Sequence, residues 1–155
     1  MLCGAQAQRT ATRFARAIAA LENALKLGEL PEHAERDAAL LRFELAAELM
    51  PKVLQRILSE RGANVTLPKD VVRAARGAGV VDEGEASVLL EIIDDRNRMV
   101  HDYSEEYALE LLQRVKGKYA PVFRALADKS TEGAAPSDST SSTSSGQASS
   151  PQAIL

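Results

Sequence analysis

Three side chains able to bind and cleave phosphate esters lie close together in the sequence between positions 96 and 101. Arg96 falls on the apolar stripe of a predicted helix, where the pattern calls for leucine, and Asn97 and His101 share the neighbouring face. An arginine binds phosphate through paired hydrogen bonds, and a histidine takes and returns a proton near neutral pH. With an amide that fixes geometry, the set suits metal-free RNA cleavage, in which His101 moves a proton and Arg96 stabilises charge on phosphorus.

A purely structural interpretation of the same residues stays open. A polar group on a core-facing stripe must be paired, so Arg96 would form an ion pair with Glu44, Glu48 or Asp94. His101 would then only end the helix. The sequence alone does not choose between the two interpretations.

The residues next to this set are expected to support it. Arg98 either pairs with Asp102 four residues later or reaches an RNA phosphate. Asp102 or Ser104 is expected to cap the following helix, whose first turn carries Glu105 and Glu106. We therefore rank Arg98 and Asp102 as supporting residues.

The hydrophobic periodicity of the chain is helical almost throughout, and no alternating β pattern or repeat is visible. The pattern predicts four main helices and a short one between the second and third. Their expected ranges are about 14–25, 34–61, 68–76, 83–101 and 104–127. This is an all-α chain, and its arrangement is predicted to be an antiparallel (up-and-down) four-helix bundle with one extra short helix.

Two of these helices carry features that affect their packing. In the second helix, Leu41, Leu45 and Leu49 are predicted to form the core-facing stripe, and Pro51 is expected to kink the helix. In the last helix, Gly117 and Pro121 are expected to cause a bend.

The composition divides the chain into three parts. Residues 129–155 are rich in serine and threonine with few apolar residues, which predicts a disordered tail. Residues 1–9 are predicted to be a flexible N-terminus, and residues 10–128 a single helical domain. The formal net charge is −3, and residues 130–155 account for two of these charges through Glu132 and Asp138, so residues 1–129 are close to neutral. Such a charge argues against a protein that coats nucleic acid through a strongly basic surface, but not against a local cluster of arginines.

Several classes of site and location are disfavoured by the sequence. Cys3 is the single cysteine and His33 and His101 are the two histidines, so we expect no disulfide, no metal site and no cofactor. His33 lies in a turn and is expected at the surface or at a helix start. No segment is apolar enough for a signal peptide or a membrane span, which predicts a cytoplasmic protein that does not bind membranes.

Two blocks of sequence resemble a known family. The stretch RNRMVHDY at 96–103 is similar to the Arg-x4-His-x-Tyr signature of HepT-like proteins, which belong to the HEPN superfamily. The stretch RFELAAE at 42–48, followed by Lys52, resembles the Phe-Glu helix of the branch called nucleotidyltransferase substrate-binding proteins, as do residues 67–69 and 103–108. The resemblance covers about residues 13–127. The chain departs from this branch at Pro51, where a tryptophan is usual, and it contains no tryptophan at all.

The resemblance implies a fold, an activity and a partner. HepT-like proteins are helical bundles that pair into symmetric homodimers, so Arg96 and His101 of two subunits would face each other across a cleft. They are metal-independent endoribonuclease toxins, and their antitoxin is a small MNT-type nucleotidyltransferase. That enzyme transfers AMP to the motif tyrosine, here Tyr103, which adds bulk and negative charge where RNA phosphate must sit.

Three functional hypotheses follow from these observations. The first is an endoribonuclease toxin in which Arg96 and His101 act on RNA, Asn97 orients them and AMPylation of Tyr103 switches the enzyme off. The second is a non-catalytic substrate-binding subunit of a nucleotidyltransferase, in which the same residues hold a nucleotide or join two subunits. The third is a structural helical adaptor, in which Arg96 and His101 contribute only to stability.

Overall fold

The computed structural model describes residues 2–102 and 104–134, and every regular element in these residues is helical. The helices are α1 (Leu2–Leu25), α2 (Ala34–Glu60), α3 (Pro68–Gly77), α4 (Glu83–Met99), α5 (Glu105–Arg114) and α6 (Ala120–Ala134). A short 3₁₀ turn (Pro31–His33) precedes α2, and a π-helical segment (Val115–Tyr119) joins α5 to α6. The all-α class is confirmed, while the up-and-down order of the bundle stays a prediction.

The ends of α2 and α3 follow the turn signals in the sequence. Gly62, just after α2, and Gly79, just after α3, have φ angles of 86° and 75°, which favour glycine because a side chain there is strained. Pro68 is the first residue of α3, where its missing N–H costs no hydrogen bond. The helix α2 runs through Pro51 to Glu60.

One main core holds the helices together. Its centre is aromatic: the rings of Phe43 and Tyr119 stack with centroids 5.7 Å apart, and Phe123 contacts both Phe43 and Phe14. These four side chains are fully buried. They come from α1, α2, the π segment and α6, so this cluster joins the first half of the chain to the second.

The expected core-facing stripe of α2 is wrong at Leu41 and Leu45, whereas Leu49, its third member, is partly buried against the core. Leu41 and Leu45 are 56% and 43% exposed. The buried side of α2 is instead formed by Ala39, Phe43, Ala46, Ala47, Met50, Val53, Leu54 and Leu58. Both sets have helical spacing, and the set rich in alanine is buried because small side chains allow α1 to pack closely against α2. Two leucines are thereby left on the surface.

The last predicted helix is divided by the π-helical segment. Gly117 lies inside this segment, and Pro121 follows it by two residues. A proline ring clashes with the carbonyl four residues earlier, here that of Gly117, and a π turn relieves that clash by widening the helix. The helix therefore changes from α to π geometry at the place where Gly117 and Pro121 were expected to cause a bend.

The helical region differs in length from the predicted domain of residues 10–128. The helix α1 begins at Leu2, and the side chain of Gln6 accepts a hydrogen bond of 3.0 Å from Arg56 in α2, which ties the expected flexible segment to the domain. At the other end, α6 continues to Ala134, whereas residues 135–155 of the predicted tail lie outside the described residues. No helix in the described part of the chain is long and apolar enough to cross a membrane.

Candidate functional site

The end of α4 and the turn after it carry the residues singled out in the sequence. A capping box starts this helix: Asp82 accepts a 2.7 Å hydrogen bond from the Glu85 amide, and Glu85 accepts one of 2.9 Å from the Asp82 amide. After α4 ends at Met99, the amides of His101 and Asp102 both donate to the carbonyl of Arg98, each at 2.9 Å. These i+3 and i+4 hydrogen bonds continue the end of α4 by one turn, and this turn holds His101.

Arg96 is partly buried and lacks an ion-pair partner among the described residues. Its Nε is fully buried and makes no hydrogen bond. Asp94 is paired with Lys69 at 2.6 Å, and Glu48 lies 3.7 Å from Lys52. None of the ion pairs expected for Arg96, with Glu44, Glu48 or Asp94, is formed among the described residues, and a buried guanidinium N–H without an acceptor calls for an explanation.

The structure brings Arg96 and Asn97 together but keeps His101 apart from them. Arg96 and Asn97 line one cavity of about 280 Å³ between α2 and α4, together with Lys52. His101 is exposed and lines neither this cavity nor the second cavity described below. A single chain therefore offers an anion-binding pair and, separately, an accessible imidazole.

Arg98 and Asp102 form the i, i+4 ion pair that the sequence offered as one alternative for Arg98. The Arg98 guanidinium donates to Asp102 at 3.1 and 3.3 Å and lies 4.2 Å from the centre of the Tyr107 ring. Asp102 also accepts from the Ser104 amide at 3.0 Å, and Ser104 caps α5 by accepting from the Tyr107 amide at 3.2 Å. Hydrogen bonds from Ser104 and from Arg98 hold the pKa of Asp102 below its usual value. Tyr103 itself lies outside the described residues.

The sequence interpretation missed a buried polar network centred on Asp95, next to Arg96. The Asp95 carboxylate accepts two hydrogen bonds from Arg114, at 2.8 and 2.9 Å, one of 2.9 Å from the Tyr107 hydroxyl, and a further one from the Tyr119 hydroxyl. The Tyr107 hydroxyl also lies 3.0 Å from the main-chain oxygen of Asp95. The network thus joins the end of α4 to α5 and to the π segment.

The protonation states of Asp95 and the two tyrosines follow from the hydrogen bonds of this network. Burial alone would raise the pKa of Asp95, but the hydrogen bonds from Arg114, Tyr119 and Tyr107 outweigh burial and lower it. The pKa of each tyrosine is raised, first by burial and then by its hydrogen bond to Asp95. The carboxylate therefore stays ionised and the hydroxyls stay protonated. The available signal was a set of polar residues on the apolar faces of neighbouring helices, since Tyr119 has helical spacing from Leu112 and Val115.

A second cavity, of about 430 Å³, lies beside the segment that carries His101. It is formed by the start of α2 and the start of α5, and Asp102 and Ser104 line it. Arg36 lines it as well, and its guanidinium lies 3.8 Å from Glu105. Arg36 thus lies near the motif turn, whereas the nearby Arg42 of α2 is exposed and lines neither cavity.

Arg96, Lys52 and Asn97 together favour the binding of an anion. Both cations lie at one cavity, Glu48 is the single carboxylate among the described residues that lines it, and the Asn97 amide supplies neutral donors. Within the described part of the chain, no three His, Cys, Asp or Glu side chains are arranged to hold a metal ion. The positive charge available to a phosphate at this cavity therefore comes from side chains.

Comparison with known proteins gives two findings. Residues 9–132 match a family described as nucleotidyltransferase substrate binding protein like. A crystal structure of a protein from Thermus thermophilus is similar, with a TM-score of 0.64 and 35% sequence identity, over 77% of this chain and 96% of that chain. None of the curated proteins matches the chain.

Proposed function

The chain belongs to the nucleotidyltransferase substrate binding protein like family, and we propose that it is a HepT-like, metal-independent endoribonuclease toxin of the HEPN superfamily. In this proposal the protein acts in the cytoplasm as a symmetric homodimer. Its antitoxin is an MNT-type nucleotidyltransferase that transfers AMP to Tyr103.

The observation that carries the proposal is the state of Arg96. The Arg96 guanidinium lines the cavity and has no carboxylate partner among the described residues, so its charge is available to an acceptor that comes from outside. A phosphate of RNA supplies such an acceptor and a negative charge together. Lys52 and Asn97 at the same cavity extend the positive and hydrogen-bonding surface that this phosphate would meet.

The reaction is a transesterification, in which the 2′-OH of one nucleotide attacks the phosphate that links it to the next nucleotide. His101 takes the proton of the ribose 2′-OH, the 2′ oxygen forms a bond to phosphorus, and the bond from phosphorus to the 5′ oxygen of the next nucleotide breaks. The leaving oxygen takes a proton from a protonated imidazole, which in the homodimer is that of the partner's His101. Arg96 stabilises the negative charge on the phosphoryl oxygens, and Asn97 orients the phosphate. The products are a 2′,3′-cyclic phosphate and a 5′-hydroxyl.

A homodimer brings together what one chain keeps apart. His101 and Asn97 are exposed in the single chain, as is Val100 between them, which is 48% exposed. Leu41 and Leu45 also lie on the surface of α2, on a stripe that leads at helical spacing to Lys52. Exposed large apolar side chains beside polar functional groups are typical of a surface that a partner covers.

AMPylation of Tyr103 explains how such an enzyme is silenced. The residues on both sides of it are fixed, since Asp102 pairs with Arg98 and Ser104 caps α5. An AMP group attached between them adds a negative charge two residues from His101, where it repels the phosphates of RNA. The nucleotidyltransferase thus acts on the toxin itself.

The alternative function is that of a non-catalytic substrate-binding subunit of a nucleotidyltransferase. The description of the matching family favours it, because that description names substrate binding and no cleavage. In this alternative, Arg96 and Lys52 bind a phosphate without breaking a bond. The two functions share the anion site and differ in whether His101 is needed.

RNA cleavage in EDTA separates the two functions. We expect the unmodified protein to produce 2′,3′-cyclic phosphate ends, and both His101→Ala and Arg96→Ala to lose about a hundredfold or more in rate. His33→Ala is the matched control, since His33 is the other histidine, is 63% exposed and lies in the turn before α2. Arg16→Ala, at an exposed position of α1, is the control for Arg96.

The result can also favour the alternative. A folded, unmodified protein that cleaves none of several RNAs, or that cleaves equally well after His101→Ala, is not this ribonuclease. Binding of a nucleotidyltransferase by such a protein, with no loss of binding in His101→Ala, would identify the substrate-binding subunit.

A further inference from the structure

The cavity at Arg96 is wider than a site for a single phosphate. Its volume is about 280 Å³, close to the lower end of the range for ligand pockets, about 300–1,000 Å³. It is bounded by α2, by the segment that leads into α3, and by the last turns of α4. This size suits one nucleotide unit better than a bare phosphate or a longer ligand.

The two cations of the cavity are not held firmly by other side chains. Lys52 is 57% exposed, and its ion pair with Glu48 is long, at 3.7 Å. An exposed pair of this kind contributes little, so the Lys52 ammonium is free to bind another anion. Arg96 has no ion pair among the described residues. One phosphate between Lys52 and Arg96 would satisfy both.

The rest of the cavity offers a surface for a base. Its apolar lining comes from Ala47, Pro51, Pro68 and Ile93. Polar groups at the same cavity are the Gln55 amide, the Thr66 hydroxyl and the Asn97 amide. The Gln55 amide donates 2.9 Å to the carbonyl of Val65, which fixes this group and holds the segment before α3 against α2. Apolar contact with a few fixed polar groups is the usual composition of a small-molecule pocket.

We propose that this cavity binds one nucleoside monophosphate unit, with its phosphate between Lys52 and Arg96 and its base against Pro51 and Pro68. The inference rests on the proposed function for its role, because the unit would be the RNA nucleotide that carries the phosphate to be cleaved. Lys52 is then a binding residue that selects for phosphate, and Gln55 and Thr66 contact the base edge. The α2 block that includes Lys52 thereby becomes part of the RNA site.

Binding of small ligands to the full chain tests the pocket without requiring cleavage. The probes are a 5′-nucleoside monophosphate, the matching nucleoside, inorganic phosphate and a short RNA with a 2′-O-methyl group at each ribose, which cannot be cleaved. Binding is measured by calorimetry and by amide NMR shifts. We expect the monophosphate to bind at least about tenfold more tightly than the nucleoside or phosphate, with shifts at Gln55, Thr66 and Asn97.

Charge-removing variants locate the phosphate. We expect Lys52→Gln and Arg96→Gln each to weaken monophosphate binding roughly tenfold and to leave nucleoside binding unchanged. Lys26→Gln is the matched control, because Lys26 is an exposed lysine just after α1 that lines none of the described cavities. Since Lys52 is exposed, its variant is expected to fold normally, and its melting temperature checks this.

The outcomes separate this inference from the proposed ribonuclease. Tight binding of the short RNA but not of the free monophosphate, with no effect of Lys52→Gln, overturns the pocket even when wild-type protein cleaves RNA. Monophosphate binding that depends on Lys52 and Arg96, in a protein that cleaves no RNA, supports the pocket and overturns the ribonuclease. Shifts that map to α1 and α6 instead of α2 and α4 also overturn the pocket.

Discussion

Arg114 of α5 holds the carboxylate of Asp95 in α4 through two hydrogen bonds, from Nε at 2.8 Å and from Nη2 at 2.9 Å. This pair is formed one residue before Arg96, on the buried side of the same helix. Tyr107 and Tyr119 donate to the same carboxylate from α5 and from the π segment. The direction in which the end of α4 presents Arg96 therefore depends on a buried ion pair that does not itself touch the cavity.

Asp95→Asn is expected to destabilise the protein strongly. The amide keeps the shape of the side chain but leaves Arg114 without its counter-charge, and breaking one partner of a buried pair costs about 3–5 kcal/mol. Urea denaturation at neutral pH measures the difference in the free energy of unfolding. A loss below about 1 kcal/mol, the value for an exposed pair, would contradict the buried role assigned to Asp95.

Acid should remove the same contribution. The pKa of Asp95 is lower in the folded protein than in the unfolded chain, so its contribution to stability is complete above the unfolded pKa, about 4, and is lost as pH falls through the folded pKa. We expect the stability of the wild type to fall below about pH 4 more steeply than that of Asp95→Asn. Parallel pH profiles for the two proteins would argue against a lowered pKa.

Tyr119→Phe separates the contribution of the hydroxyl to stability from the contribution of the ring. The ring of Tyr119 stacks on Phe43 and remains in the variant, whereas the hydrogen bond to Asp95 is lost. A hydrogen bond to a charged group contributes about 1.5–3 kcal/mol, so we expect a loss of that size in the free energy of unfolding. In the double variant Tyr119→Phe with Asp95→Asn, the two losses should not add, because the residues share one interaction. Additive losses would show that the Tyr119 hydroxyl acts independently of Asp95.

The sequence was informative about features that neighbouring residues decide, such as the ends of helices. It was uninformative where the rotation of a helix about its axis decides which side chains are buried. The predicted range 68–76 agrees with α3, which begins at Pro68 and is followed by Gly79. Arg96 stood out because it interrupts an apolar stripe. Asp95 was overlooked because its partners lie 12 to 24 residues further along the chain, beyond the reach of local helical spacing. These partners are Tyr107, Arg114 and Tyr119. Leu41 was placed in the core because hydrophobicity favours leucine over alanine, whereas close packing of α1 against α2 favours alanine.

Arg124→Met tests a second ion pair, which joins α6 to α1. Arg124 donates to both carboxylate oxygens of Glu22, at 3.1 Å from Nε and through a shorter contact from Nη2, and this hydrogen bonding lowers the pKa of Glu22. Both side chains are about one third exposed, 37% and 33%, so water screens the pair. We expect a loss of about 1 kcal/mol or less in urea denaturation, well below that of Asp95→Asn. An equal loss in the two variants would contradict the ranking by burial.

Leu45→Glu tests the surface of α2 that the proposed homodimer covers. Leu45 is 43% exposed in the single chain, so a glutamate there costs little in the folded monomer, whereas a charge inside a dimer interface must be desolvated. We expect light scattering after size exclusion to show a dimer for the wild type and a monomer for Leu45→Glu, with RNA cleavage lost in parallel. Leu27→Glu is the control, since Leu27 is 48% exposed in the connection between α1 and α2, away from the motif turn. A Leu45→Glu protein that stays dimeric would place the dimer interface on another face, and a wild type that is monomeric while cleaving RNA would remove the need for a second copy of His101.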